Sequence, residues 1–209
     1  MANHQLITRE CESIADDVWT VLDVTGLPDG VALHHITIDE LIHKNERLDM
    51  LVPLADALSP TPLTLATLDL ITRHSSRLGV WADTSILPEQ LDEVFNAEVR
   101  AKKAKTNAKQ GIASIPDTFS PDLVVFYVPA FADGRAFSHA THLRQNGYTG
   151  EIRFAGEFGI DQLAYLKRTG VDSFVLPSEV SLDTVQAALN ALPTAYSGKD
   201  ADELPMFRS

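Results

Sequence analysis

From residue 78 onward the chain alternates short β-rich runs with stretches of helical periodicity. That alternation confines it to a parallel α/β arrangement, because parallel neighbours need a long crossover between them. The β-rich runs are Leu78-Gly-Val-Trp-Ala82, Leu123-Val-Val-Phe-Tyr-Val128, Glu151-Ile-Arg-Phe-Ala155 and Ser173-Phe-Val-Leu176. The second is apolar on both faces, which suits a central buried strand. Between the runs the spacing of apolar residues predicts helices from Pro88 to about Lys105, Arg135 to Asn146, Ile160 to Thr169 and Ser181 to Leu192. Gly147 and Gly170 stand where helix C-caps fall, a few residues ahead of the next strand, so the order helix, glycine, strand is written twice. The expected architecture is a parallel sheet of βα units, either doubly wound or an incomplete barrel. Four clear β/α units are too few for a full eight-stranded barrel unless the N-terminal part adds strands.

The first 77 residues read differently. Val18-Trp-Thr-Val-Leu22 predicts a strand, Ile38 to Leu51 an amphipathic helix starting at Thr37 or Asp39, and Leu65 to His74 another helix. Leu58-Ser-Pro-Thr-Pro-Leu63 reads as a turn or short linker. The organisation expected is an N-terminal extension (1–77) packed on a parallel α/β domain (78–196), followed by a C-terminal tail (197–209). Arg100 to Gln110 carries Lys102, Lys103, Lys105 and Lys109 and precedes a loop to Pro121. It reads as a solvated helix end, with a docking patch for an acidic partner as the sharper alternative.

Charge and cysteine content narrow the function. Lys and Arg number 17 against 29 Asp and Glu, a net charge of −12, which argues against nucleic acid or an anionic membrane as partner. An anionic substrate would need a local cationic group. Cys11, the single cysteine, cannot by itself make an intrachain disulfide, a CxxC pair, a Cys-rich zinc site or a four-thiolate cluster. Without a positioned histidine it reads as a structural or incidental thiol. The start of the chain lacks an apolar signal-peptide core, and no run approaches the roughly 18 apolar residues of a membrane span, so the expected compartment is the cytoplasm.

Ligands of parallel α/β proteins bind beyond the carboxyl ends of the strands. That rule nominates Asp83-Thr84-Ser85, the stretch from Pro129 to Arg135, the stretch from Gly156 to Gln162, and Pro177-Ser178-Glu179. Asp133, Gly134 and Arg135 open a helix, where the guanidinium offers a planar fork to a carboxylate, phosphate or sulfur oxyanion. Ser138 lies one turn on. The plainer reading is that Asp133 caps the helix and Arg135 pairs with a neighbouring carboxylate. Glu157, Asp161 and Gln162 surround the next helix start, either as a proton-moving or cation-binding carboxylate pair or as dipole complement and cap. These seven residues form the candidate pocket, with no catalytic residue assigned. His139 and His142 share a helix face but lack an evident third ligand, and His34 and His35 are weaker, so no metal site is expected. The chain has no G-x-G-x-x-G after a strand, no P-loop, no G-x-S-x-G and no H-E-x-x-H. Gly156-x-x-Gly159 is the nearest approach to a phosphate loop.

The stretches Phe131-Ala-Asp-Gly-Arg135-Ala-Phe-Ser138, Gly147-Tyr-Thr-Gly-Glu-Ile-Arg153, Gly156-Glu-Phe-Gly-Ile-Asp161-Gln162-Leu163 and Gly170-Val-Asp-Ser-Phe174 resemble, in order, a bacterial family, number 934 among the domains of unknown function. The likeness covers about residues 78–196, and more loosely Asp16 to Trp19, Ile38 to Leu41 and Leu204 to Arg208. Asp133, Gly134, Arg135 and Ser138 match the polar members of the family's Phe-Thr-Asp-Gly-Arg-Gly-Tyr-Ser stretch. Asp161 and Gln162 match its Arg-Asp-Gln run, but Ile160 replaces that arginine, and Thr169 replaces the cysteine of its Arg-Cys-Gly turn. His139 and His142 fall where the family has aliphatic residues. The family is known as oxidoreductases of sulfite reduction, a label that stems from genes beside the sulfite reductase haemoprotein. The resemblance therefore implies an accessory protein of assimilatory sulfite reduction, acting with sulfite reductase as a redox helper or assembly factor. The alternatives are a non-catalytic interaction or small-anion-binding module, and an oxidoreductase with a noncovalent flavin or nicotinamide. No cofactor is evident in the sequence itself.

Overall fold

Parallel strands and their crossover helices build the protein around the doubly apolar run at its centre. The computed structural model describes residues 4–22, 28, 34–44, 46–58, 62–110, 114, 119–131 and 133–191. The tail at 197–209 and Leu192 lie outside the described residues, as does most of the loop after the Lys-rich segment. In chain order the elements begin with β1 (His4–Thr8), β2 (Ser13–Ile14), β3 (Trp19–Leu22), β4 (His34–Ile36), α1 (Ile38–His43), β5 (Leu48–Pro53), α2 (Leu54–Leu58) and α3 (Pro62–His74). They continue with β6 (Ser75–Asp83), α4 (Pro88–Phe95), α5 (Ala97–Gln110), β7 (Leu123–Val128), α6 (Arg135–Gln145) and β8 (Glu151–Gly156). A 3-10 turn (Ile160–Gln162), α7 (Leu163–Arg168), β9 (Ser173–Pro177) and α8 (Leu182–Leu189) complete them.

The nine strands among the described residues join one sheet in the order β2-β1-β9-β8-β7-β6-β5-β3-β4. From β4 to β9 every neighbouring pair is parallel, whereas β1 runs antiparallel to β9 and to β2. From β5 to β9 each strand lies beside its predecessor. Right-handed crossovers repeated in one direction place their helices on one face and curl the sheet, so the incomplete-barrel alternative is the one realised, as a half-barrel. Two cores follow from the strand period. Val124, Phe126, Val128, Ile152, Phe154 and Phe174 pack with the helices, while Leu6, Trp19, Val21, Leu51, Val125 and Val175 fill the concave side. Gly79 makes room there, since a Cβ would lie 3.0 Å from both Leu51 and the Trp19 ring.

At the amino ends of the strands the concave face carries charge. Arg153, 2% exposed, donates from Nη1 to Asp17 Oδ2 at 2.8 Å and from Nη2 to Glu151 Oε1 at 3.1 Å. The Ser173 hydroxyl donates to the same Glu151 oxygen at 2.6 Å. Arg77 pairs with Asp49 and lies 5.1 Å above the Trp19 ring. Segment 9–18 is thereby tied to the sheet by a buried ion pair as well as by packing.

Several boundaries differ from the sequence expectation for identifiable reasons. The helix predicted from Ile38 to Leu51 stops at His43, because Lys44 is extended, and the chain re-enters the sheet as β5. Met50, Leu51 and Val52 are buried in succession, and such a run fits helix or strand equally in periodicity. The helix from Pro88 to Lys105 is two helices broken at extended Asn96, whose side-chain carbonyl accepts from the amides of Glu98 (3.0 Å) and Val99 (3.3 Å) and so starts α5. The helix predicted from Ile160 begins as the 3-10 turn. Gly147 and Gly170 close α6 and α7 as expected, at φ +85° and +94°. The amides after them, of Tyr148 and Val171, return to the carbonyls of Leu143 and Leu166. No helix among the described residues is long and apolar enough to cross a membrane.

Candidate functional site

The carboxyl ends of β6 and β7 bring together two of the nominated loops. Asp133 Oδ1 accepts the Arg135 amide at 3.1 Å and Nε at 2.9 Å, and Oδ2 accepts Nη2 at 2.6 Å together with the Thr84 hydroxyl. The guanidinium fork is thus closed on a carboxylate two residues away. Arg135, then Thr84, hold the Asp133 carboxyl well below the usual carboxylate range, and Asp133 in turn raises the Arg135 pKa. The Asp133 side chain is 11% exposed and that of Arg135 61%. Both halves of the plainer reading, capping and pairing, are present in one contact. Gly134 is the N-cap, with open space where a side chain would stand.

Thr84 extends this unit inward. It is fully buried, and its carbonyl accepts from His139 Nε2 at 3.4 Å. That bond assigns the proton to Nε2 and leaves Nδ1 a buried acceptor with no partner among the described residues. Burial lowers the His139 pKa and favours the neutral ring, which lies 5.7 Å from Phe126. His142 turns elsewhere, to Asp92 at 2.8 Å. The two imidazoles therefore do not converge, and no group of three or more metal-ligating side chains meets among the described residues.

The remaining candidates sit apart from this unit. Glu157 is exposed at the end of β8, with its amide donating to the Val128 carbonyl at 2.8 Å. The Gln162 side chain accepts from the Gly159 amide at 3.0 Å and caps the 3-10 turn. Asp161 is exposed, with its carboxylate folded over Gly159, and Ser138 is exposed on α6. No hydrogen bond among the described residues links Glu157, Asp161, Gln162 or Ser138 to Asp133 or Arg135. Thr84 is the member that sequence reasoning nominated only as part of a segment. Its place after β6 was the available signal.

These loops do not fit the phosphate of a flavin or nicotinamide nucleotide. The first amide of α6 is taken by the Asp133 carboxylate. At the loop after β8, the Asp161 carboxylate covers Gly159, and the absent Gly156 side chain makes room for the Val128 carbonyl rather than for an anion. Among the described residues one cleft adjoins the Asp83-Thr84-Ser85 loop and another stands apart. The first, of about 300 Å³, opens at the ends of β5 and β6, lined by Pro53, Leu54, Trp81, Asp83, Ile86 and Gln90 among others. The other, about 490 Å³, lies at the β4 edge beside His34, His35, Glu40, His43 and Lys44. The Lys-rich segment is α5, where Lys103 pairs with Glu93 at 2.8 Å.

A family described as bacterial protein of unknown function (DUF934) matches residues 97–207. The match takes in Asp133, Arg135, Glu157 and Asp161 and leaves β1 to β6 outside it. No curated protein and no solved structure matches significantly. Spanning more than half of the 209 residues, the match places the chain in this bacterial family of unknown function, DUF934.

Proposed function

We propose that the chain is a cytoplasmic accessory protein of assimilatory sulfite reduction, acting by contact with the sulfite reductase haemoprotein as a redox helper or assembly factor. The observation that carries this reading is the closed Asp133–Arg135–Thr84 unit. A sulfur oxyanion seeking the Arg135 fork would have to displace a carboxylate already gripped by two guanidinium nitrogens, an amide and a hydroxyl. An arginine satisfied by its own neighbours supports a role through surfaces better than oxyanion chemistry at that fork. The family likeness supplies the pathway. Deleting the gene should slow growth on sulfate and leave growth on cysteine unchanged; equal growth on both, with no second copy of the gene, would sink the proposal.

A second reading, a small-anion-binding module, is favoured by the cleft at the β4 edge. Lys44 and three histidines line it together with Glu40, whose carboxylate is engaged in a capping box with Thr37. Calorimetry with inorganic sulfate and phosphate would test it, with binding that weakens on Lys44→Ala as the supporting result.

A further inference from the structure

The geometry points to a docking face for a basic protein surface, centred on Phe131 and Tyr165 at the carboxyl-end rim of the half-barrel. It rests on the proposed accessory role and locates the surface through which that role is exercised. Phe131 is 59% exposed and Tyr165 51%, the rim's two large exposed rings among the described residues. The Phe131 ring lies against Gly159, where a Cβ would meet it at 2.7 Å. Asp161 covers the same glycine, and Tyr165 follows four residues later with its ring 5.4 Å from that of Phe137.

The electrostatics choose the partner. Glu157 and Asp161 each stand two residues from Gly159, are exposed, and have no ion pair or side-chain hydrogen bond among the described residues. Arg135 adds no net charge, being paired with Asp133. The face is therefore aromatic and acidic on a chain of net charge −12. Exposed rings supply apolar area and anchoring contacts, while uncompensated carboxylates steer a cationic partner and repel a second copy of this acidic chain. The other exposed apolar pair, Ile38 and Ile42 at 47% and 49%, stands on α1 after the edge strand β4, with Lys44 as its neighbour.

The test is calorimetric titration of the full chain into sulfite reductase haemoprotein at low and high salt, with circular dichroism checking the fold of each variant. The wild type should bind, more weakly at high salt. Phe131→Ala with Tyr165→Ala should weaken binding at least tenfold, Glu157→Lys with Asp161→Lys should weaken it and remove the salt dependence, and Ile38→Ser with Ile42→Ser should leave it unchanged. Wild-type binding that survives both rim variants would overturn the docking face and leave the accessory role standing. Absence of wild-type binding would overturn both. Self-association lost in the Phe131/Tyr165 variant would assign the face to a second copy and overturn the basic partner.

Discussion

Arg153 and Asp17 meet at 2.8 Å with both side chains almost wholly out of water, although 136 residues separate them in the chain. Two charges in such a place are costly to desolvate, and Arg153 offsets that cost through Asp17 and through Glu151.

Removing Asp17 leaves Arg153 with Glu151 alone, and removing Arg153 leaves Asp17 with no ion pair among the described residues. Asp17→Ala should destabilise the fold by about 3–5 kcal/mol, and the double variant Asp17→Ala/Arg153→Met should cost clearly less than the two single changes added. Urea unfolding of the four proteins of the cycle measures the coupling. Additive losses would show that the pair does not act as a unit.

The Asp133 carboxyl is held below its usual value of 3.8, first by Arg135 and then by Thr84. A group whose folded pKa is depressed contributes stability that is present above the unfolded pKa and lost as pH falls toward the folded one. Arg135→Gln should return the Asp133 pKa toward its ordinary value, and Thr84→Val should do so to a smaller extent. Carboxyl-carbon NMR titration reads both shifts directly; an Asp133 signal that titrates alike in all three proteins would refute the assignment.

His139 gives a dependence in a different window. Its folded pKa is lowered from 6.5 chiefly by burial, so the unfolded chain binds a proton that the folded chain resists. Its contribution is intact above about pH 6.5 and is lost as pH falls below that value. Between pH 7.5 and 5.5 the urea midpoint of the wild type should drop more than that of His139→Gln. Equal drops would mean that the ring takes up its proton in place.

Three glycines should behave differently on replacement by alanine. Gly147, at φ +85° with open space around it, should cost about 1 kcal/mol through backbone strain alone. Gly170 should cost more, because its Cβ would come to 2.5 Å from Arg144 Cγ at φ +94°. Gly134, with φ −81° and nothing within 4 Å, should change stability by no more than about 0.5 kcal/mol. Thermal melts of the three variants would rank them.

How far the sequence reveals this protein depends on how local each feature is. β7 is legible because its own six residues are apolar on both faces, and the closures of α6 and α7 are legible because a single glycine carries each. The Asp133–Arg135 contact spans two residues and was open to the same inspection. β5 was hidden, since Ile38 to Leu51 carries both a helical spacing and a continuous apolar end. β1 was hidden because His4–Thr8 makes sense only beside β9, whose register pairs His4 with Pro177. Thr84 and His139 meet only after β6 and α6 are laid side by side. The choice between a doubly wound sheet and a half-barrel likewise depends on strand order, which no local pattern states.

The antiparallel seating of β1 on β9 also bears on the timing of synthesis. Among the described strands the first to be made is the mate of the last, and Leu6 and Ile7 reach their burial only when Val175 and Phe174 have been made. At translation rates of about 5–20 residues per second, that wait is roughly ten to thirty seconds. During it the nascent chain holds an apolar strand without its β9 partner. The parallel strands from β5 onward can assemble in the order of their emergence, so the seam between β1 and β9 is where biogenesis would finish and where a holding chaperone would be of most use.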